Sequence, residues 1–125
     1  MRKMVKQAET TVVMLDAIAW GGAPKNVHAR HINRRVVCAD GFSVSIQASE
    51  RHYAIDSAGK NPYFEGEPIT YPYVSFEIGY PSEPIDPIGP WERDAGPGVW
   101  GYVPRRAVEE LLVRHGGAVG WEAIN

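Results

Sequence analysis

Five consecutive residues, Ser49-Glu50-Arg51-His52-Tyr53, put a hydroxyl, a carboxylate, a guanidinium, an imidazole and a phenol side by side. Serine and histidine are the working parts of acyl-transfer centres, where the imidazole takes the hydroxyl proton. In extended chain, however, Ser49, Arg51 and Tyr53 point to one side and Glu50 and His52 to the other. That spacing separates Ser49 from His52 and predicts no Ser–His dyad. The glycine-flanked turn that exposes a nucleophilic serine is missing as well. The five residues therefore read as a recognition patch, or as a polar cluster anchored by Tyr53, rather than as a reaction centre.

Two further groups carry reactive side chains. His28 and His31 form an H-x-x-H pair, with Cys38 and His52 as candidate additional ligands. Zinc takes about four such ligands, but a second paired motif is missing and the neighbouring arginines repel a dication, so no metal is expected. Cys38 becomes a nucleophile only in an accessible, electropositive site beside a base, which Arg34, Arg35 and His52 would have to supply. A strand cysteine is more often a small buried hydrophobe. A small enzyme built on Cys38 or His52 stays open as an alternative, without assigned catalytic residues. The glycine-containing stretches GGAPKN and HGGAVG lack the spacing of a phosphate loop, and no cofactor is expected.

The elements that must position these residues are legible to different degrees. Asp40-Gly41 suits a two-residue type I′ hairpin turn. It is followed by Phe42, Val44, Ile46 and Ala48 alternating with Ser43, Ser45, Gln47 and Ser49, which marks one buried and one wet strand face. Residues 73–80 alternate again, with Val74, Phe76, Ile78 and Tyr80 on one side, and predict a third strand; 99–103 predict a fourth. Pro104 suits the first position of a helix over RRAVEELLVRH, with Ala107, Val108, Leu111 and Leu112 as its apolar stripe and Gly116-Gly117 as its stop. The tail from Ala118 supplies a last strand or simply packs Trp121 and Ile124. Upstream, AETTVVMLDAIAWGG predicts a helix capped by Thr10, with a stripe of Val12, Leu15, Ile18 and Ala19. Residues 58–72 form a loop whose Tyr63, Phe64 and Tyr71 pack down, and 81–98, with five prolines, excludes a central strand.

Together these predict one α+β domain over residues 1–125, with a mainly antiparallel sheet of about four or five strands and the 104–115 helix on one face. Residues 1–35 read as a basic extension containing one helix, 36–117 as the core and 81–98 as an acidic, proline-rich loop. No stretch is apolar enough for a membrane span. The start MRKMVK lacks the continuous apolar run of a signal peptide, and a single cysteine suits a reducing cytoplasm.

Charge is unevenly spread. Residues 1–35 sum to +5 and residues 61–95 to −6. A basic arm suits phosphate, which makes a nucleic-acid-binding regulator using residues 1–35 one alternative. The net charge of −2 and the acidic loop favour a protein partner instead.

Three motifs in order, VCADGFSVSIQASERHY, FEIGYPS and VWGYVP followed by a helix ending in HGG, resemble a group of small uncharacterised accessory proteins encoded by tailed phages and prophages. The likeness covers about residues 36–117. Where that pattern places a Cys and a Pro-Arg after the His-Tyr pair, this chain reads AIDSAGKNPYFEG. The resemblance implies a phage protein acting in the cytoplasm of the bacterial host, and it brings no reaction, cofactor or catalytic residue with it. Joined to the acidic loop and its tryptophan, it leads to a non-enzymatic protein that binds a host protein, for instance an inhibitor of a CRISPR effector or restriction system. The expected docking residues are Glu83, Asp86, Trp91, Glu92 and Asp94, with Glu50, Arg51, His52 and Tyr53; homodimerisation stays open.

Overall fold

The alternating stretch forms the hairpin that the pattern requires. In the computed structural model, which describes residues 2–65, 68–85, 94–96 and 98–123, β1 (Val36–Cys38) pairs antiparallel with β2 (Ser43–Gln47). The turn differs from expectation. It spans three residues, Ala39-Asp40-Gly41, and of these only Gly41 has positive φ. Gly41 N–H donates to Cys38 O, Cys38 N–H to Phe42 O, and Phe42 N–H to the Asp40 carboxylate. This is a type I turn closed by one left-handed glycine. Ala39 and Asp40 keep ordinary backbone because their N–H groups donate to Gly117 O and His115 O.

The sheet continues through β3 (Ser75–Gly79), β4 (Asp94–Gly96), β5 (Val99–Pro104) and β6 (Ala118–Trp121), in the order β4-β5-β3-β2-β1-β6, with every pairing antiparallel. The count is six rather than four or five. The additional strand, β4, arises inside the proline-rich stretch, at the sheet edge, where a missing N–H donor costs least. Val74 and Tyr80, expected on the buried side of the third strand, flank β3 and are exposed.

Two helices cover one face. α1 (Arg2–Ala19) begins well before Thr10, so that residue lies within the helix and does not cap it. The buried stripe is Thr11, Met14, Leu15, Ile18 and Ala19, whereas Val12 is exposed. Thr11 can face inward because its Oγ1 accepts the Ala118 N–H. The core therefore does not begin at residue 36: α1 contributes to the same apolar cluster as Val36, Val44, Ile46, Phe76, Ile78 and Val103. α3 (Arg105–Arg114) supplies Ala107, Val108, Leu111 and Leu112 to it, and Pro104 precedes the helix as its N-cap residue. Gly117 N–H donating to Leu112 O closes the helix end. Arg105 ties the two helices through Asp16 (2.6 Å) and Val12 O (3.2 Å). Among the described residues no helix is long and apolar enough to cross a membrane.

The opposite face, bearing Ser45, Gln47 and Glu77, is covered by chain without regular structure. Residues 24–34 close on themselves through Arg34 N–H to Pro24 O and Asn26 N–H to Ile32 O, and Gln47 grips them. Its Oε1 accepts Asn33 N–H at 2.8 Å and its Nε2 donates to Asn33 O at 3.2 Å. Asn33 in turn donates to Ile46 O and accepts from Lys25 Nζ. Beyond the sheet, the fully buried Asp56 accepts N–H groups from Ala58, Lys60 and Thr70. A short helix, α2 (Pro62–Glu65), follows Lys60.

Burial opposes the charge of Asp56, but its three N–H donors and Lys60 prevail and hold the carboxyl below its ordinary value. Its stabilising contribution is therefore complete above the usual carboxylate range near pH ~4 and is lost as the pH falls below it. Asp56→Ala, which orphans three donors, is expected to lower stability by about 3 kcal/mol at neutral pH. Urea denaturation at pH 7 and pH 3 checks this: the gap between variant and wild type should narrow at the lower pH.

A candidate polar cleft on the open face

After Gln47 the chain leaves β2 and turns instead of extending. His52 N–H donates to Ser49 O (3.1 Å), and this turn brings Ser49 Oγ within 2.5 Å of His52 Nδ1. The separation expected from extended alternation is thus overturned. Ser49 Oγ also accepts Arg51 N–H at 3.0 Å. The direction of the Ser49–His52 bond follows the ring tautomer: the hydroxyl donates to an unprotonated Nδ1 and accepts from a protonated one.

The hydroxyl is also held by a backbone donor at the centre of a tight turn. His52 is only 7% exposed. Burial, with His31, Lys25 and Arg51 adding to it, lowers its pKa to about 4, so the imidazole is neutral at pH 7.

The wall made by Asn33 and Gln47 separates two depressions. The larger, of about 500 Å³, is lined on the connector side by Asn26, His28, Arg34 and Arg35, and on the sheet side by Ser45, Glu77 and His52. The smaller, of about 270 Å³, is lined by Lys25, His31, Ser49, Glu50 and Arg51 with Ile69 and Tyr71. Arg35 is committed to Ser43, to Tyr80 O (2.6 Å) and to Glu122 (3.6 Å). Burial raises the pKa of Glu77, partly offset by the Tyr53 N–H that it accepts.

Other candidates are scattered. Cys38 faces the helices, on the opposite side of the sheet from His52, and burial together with the Asp40 carboxylate pushes its thiol up to about 12. No thiolate forms there at neutral pH, and Cys38 and His52 do not meet. His28 lines one depression and His31 the other. Among the described residues no three His, Cys, Asp or Glu side chains group to hold a metal ion.

The expected docking residues divide. Asp86, Trp91 and Glu92 lie outside the described residues, and Asp94 is placed only as the first residue of β4. Glu83 is exposed, 3.8 Å from His115 Nδ1. Glu50 and Arg51 are exposed at the smaller depression, whereas His52 is buried. The basic stretch 1–35 is no free arm over its described helical part, since Met14, Leu15, Ile18 and Ala19 are core and Lys25 is bonded to Asn33.

Tyr53 leads to a surface built of aromatic rings. Tyr63 and Phe64, expected to pack down, are 47% and 69% exposed. They nevertheless hold fixed positions: Tyr63 meets Tyr53 edge-on at 5.1 Å, Phe64 stacks on Tyr53 at 6.0 Å, and Tyr102 tilts against it at 5.7 Å. Asn61 anchors α2 by donating to the Tyr102 hydroxyl, and Gly101 lets Tyr53 approach, since a Cβ there would lie 2.9 Å from the tyrosine Cβ. Tyr102 itself takes a left-handed backbone, φ 59°, so that its N–H donates to Tyr53 O. No protein-family model, curated protein or solved structure matches the chain.

The neutral, buried His52 has a consequence for stability. Its folded pKa lies below the unfolded value, so between about pH 6.5 and about 4 the unfolded chain binds the proton and the folded one does not. Stability should then fall with decreasing pH across this window, by about 3 kcal/mol in full. His52→Gln removes that component, and urea midpoints at pH 7 and pH 4.5 should show a smaller drop for the variant than for wild type.

Proposed function

We propose that this chain is a non-enzymatic binding protein that docks onto another protein through the surface of Tyr53, Tyr63, Phe64 and Tyr102. The carrying observation is the exposure of Tyr63 and Phe64 on a base that holds them in place. Large rings exposed yet pre-ordered bind at low entropic cost, and such aromatics dominate the energetics of protein interfaces. A single-sided aromatic group of this kind gives little to a folded monomer, since exposed rings bury little area.

The sequence resemblance extends this to a viral setting: a phage or prophage accessory protein that binds a host protein in the bacterial cytoplasm, such as a CRISPR effector or restriction complex whose action it blocks. The acidic stretch downstream of Tyr80 supplies charge for steering toward a basic partner. The burial of Cys38 on the opposite side of the sheet from His52 supports a binding role over cysteine chemistry.

The test joins binding to biology. In a host carrying an active CRISPR or restriction system, expression of the wild-type chain should restore plaque formation by a targeted phage, and the Tyr63→Ala/Phe64→Ala double variant should not. Against the complex whose inhibition is observed, the double variant should bind about thirtyfold more weakly, a loss of about 2 kcal/mol. A folded double variant with undiminished activity would remove this surface from the docking role.

A further inference from the structure

The aromatic surface carries charge as well as rings, and the charge is negative. Glu77 stands beside it on β3. Its Oε1 accepts the Tyr53 N–H at 3.1 Å, while Oε2 accepts from no described residue and is not enclosed. Burial, opposed by the bond from Asn61, raises the pKa of the Tyr102 hydroxyl, and the Glu77 charge adds to it. The carboxylate is thus within electrostatic reach of that tyrosine. Glu65, next to Phe64 in α2, adds a second, exposed carboxylate, whose Oε2 accepts the Asn61 N–H. The neighbouring cations point elsewhere: Lys60 donates to Pro68 O, and Arg51 lines the smaller depression.

These features select among occupants. The face of an aromatic ring is negative and attracts a cation, above all a flat guanidinium that lies along it. Nucleic-acid bases also stack on such rings, but two carboxylates beside them oppose a phosphate backbone. An apolar occupant would bury Glu77, whose charge burial already disfavours, without a counter-ion.

We propose that this surface takes an arginine side chain of its protein partner, laid over the rings of Tyr53, Tyr102 and Phe64 with Glu77 as its counter-ion, an assignment that rests on the docking role proposed above for the same rings. The partner segment is therefore basic. Little has to be ordered for it to bind, because the rings are held by one another and Glu77 by the Tyr53 N–H.

The experiment uses the full chain with ¹³C-labelled tyrosine and phenylalanine rings at pH 7.5. It is titrated separately with a short peptide of alternating arginine and glycine, with the same peptide carrying neutral citrulline for arginine, and with an oligothymidylate. The arginine peptide should shift the Tyr53, Tyr102 and Phe64 ring signals saturably, and the citrulline peptide should bind about tenfold more weakly. Glu77→Gln keeps an acceptor for the Tyr53 N–H, so the rings stay in place; it should weaken the arginine peptide about tenfold and leave the citrulline peptide unchanged. Equal affinity for the two peptides, or for the arginine peptide in wild type and in a folded Glu77→Gln, overturns the arginine assignment and leaves the surface a docking site. Saturation by the oligothymidylate alone overturns it in favour of nucleic acid. Ring signals that move with none of the three also overturn it, whereas the docking role itself is decided by the plaque assay with Tyr63→Ala/Phe64→Ala.

Discussion

A buried side-chain amide, that of Gln47, holds the open face of this sheet together. Its carboxamide meets both the N–H and the carbonyl of Asn33, as a neighbouring strand would, while Asn33 reaches back to Ile46 O. Buried amides are costly when half-satisfied and rigid when fully paired. Here the pairing fastens an irregular, polar connector to a surface that an antiparallel sheet commonly leaves to water. Both depressions are lined by this pair.

The two faces of the sheet solve the same problem by different means. On one, α1 and α3 bury aliphatic stripes, and the area removed from water does the work. On the other, specific polar groups replace area: Gln47 with Asn33, Asp56 with three backbone donors, Ser75 with Ile55 N–H, Glu77 with Tyr53 N–H. Left-handed tyrosines at 80 and 102 belong to this second face. Such backbone is strained in residues with a side chain, and each is held by partners: Tyr80 O by Arg35, Tyr102 N–H by Tyr53 O. The binding surface proposed above lies on the polar, loop-built side, where geometry is set by individual hydrogen bonds.

Local patterns with a hydrophobic period were legible in the sequence. The β1–β2 hairpin, the β3 and β5 strands and the α3 helix follow from alternation or a 3.6-residue stripe, and the fold is α+β as those patterns require. The three-residue turn was not legible, because what sets it is the capture of Ala39 and Asp40 by the end of α3, some 75 residues away. The early start of α1 was masked by the β-branched Thr10-Thr11-Val12-Val13, whose propensity is overridden by packing. β4 was hidden by the surrounding prolines, which an edge tolerates.

The site was harder to read. Extending the β2 alternation past Ala48 put Ser49 and His52 on opposite sides, whereas serine's tendency to capture the backbone N–H two residues ahead, seen here at Arg51, is a turn signal that was present. Nothing in the sequence distinguishes Gln47 from an ordinary solvent-facing strand residue, since its partner comes from an irregular segment. The measurement that bears on it most directly is hydrogen exchange at the Asn33 amide. With the Gln47 clamp in place, this amide should be among the slowly exchanging ones of the chain, and Gln47→Ala should release it together with the Asn26 amide while the β3 amides stay protected. Exchange of the Asn33 amide in wild type as fast as that of an unbonded loop amide would contradict the pairing that lines both clefts.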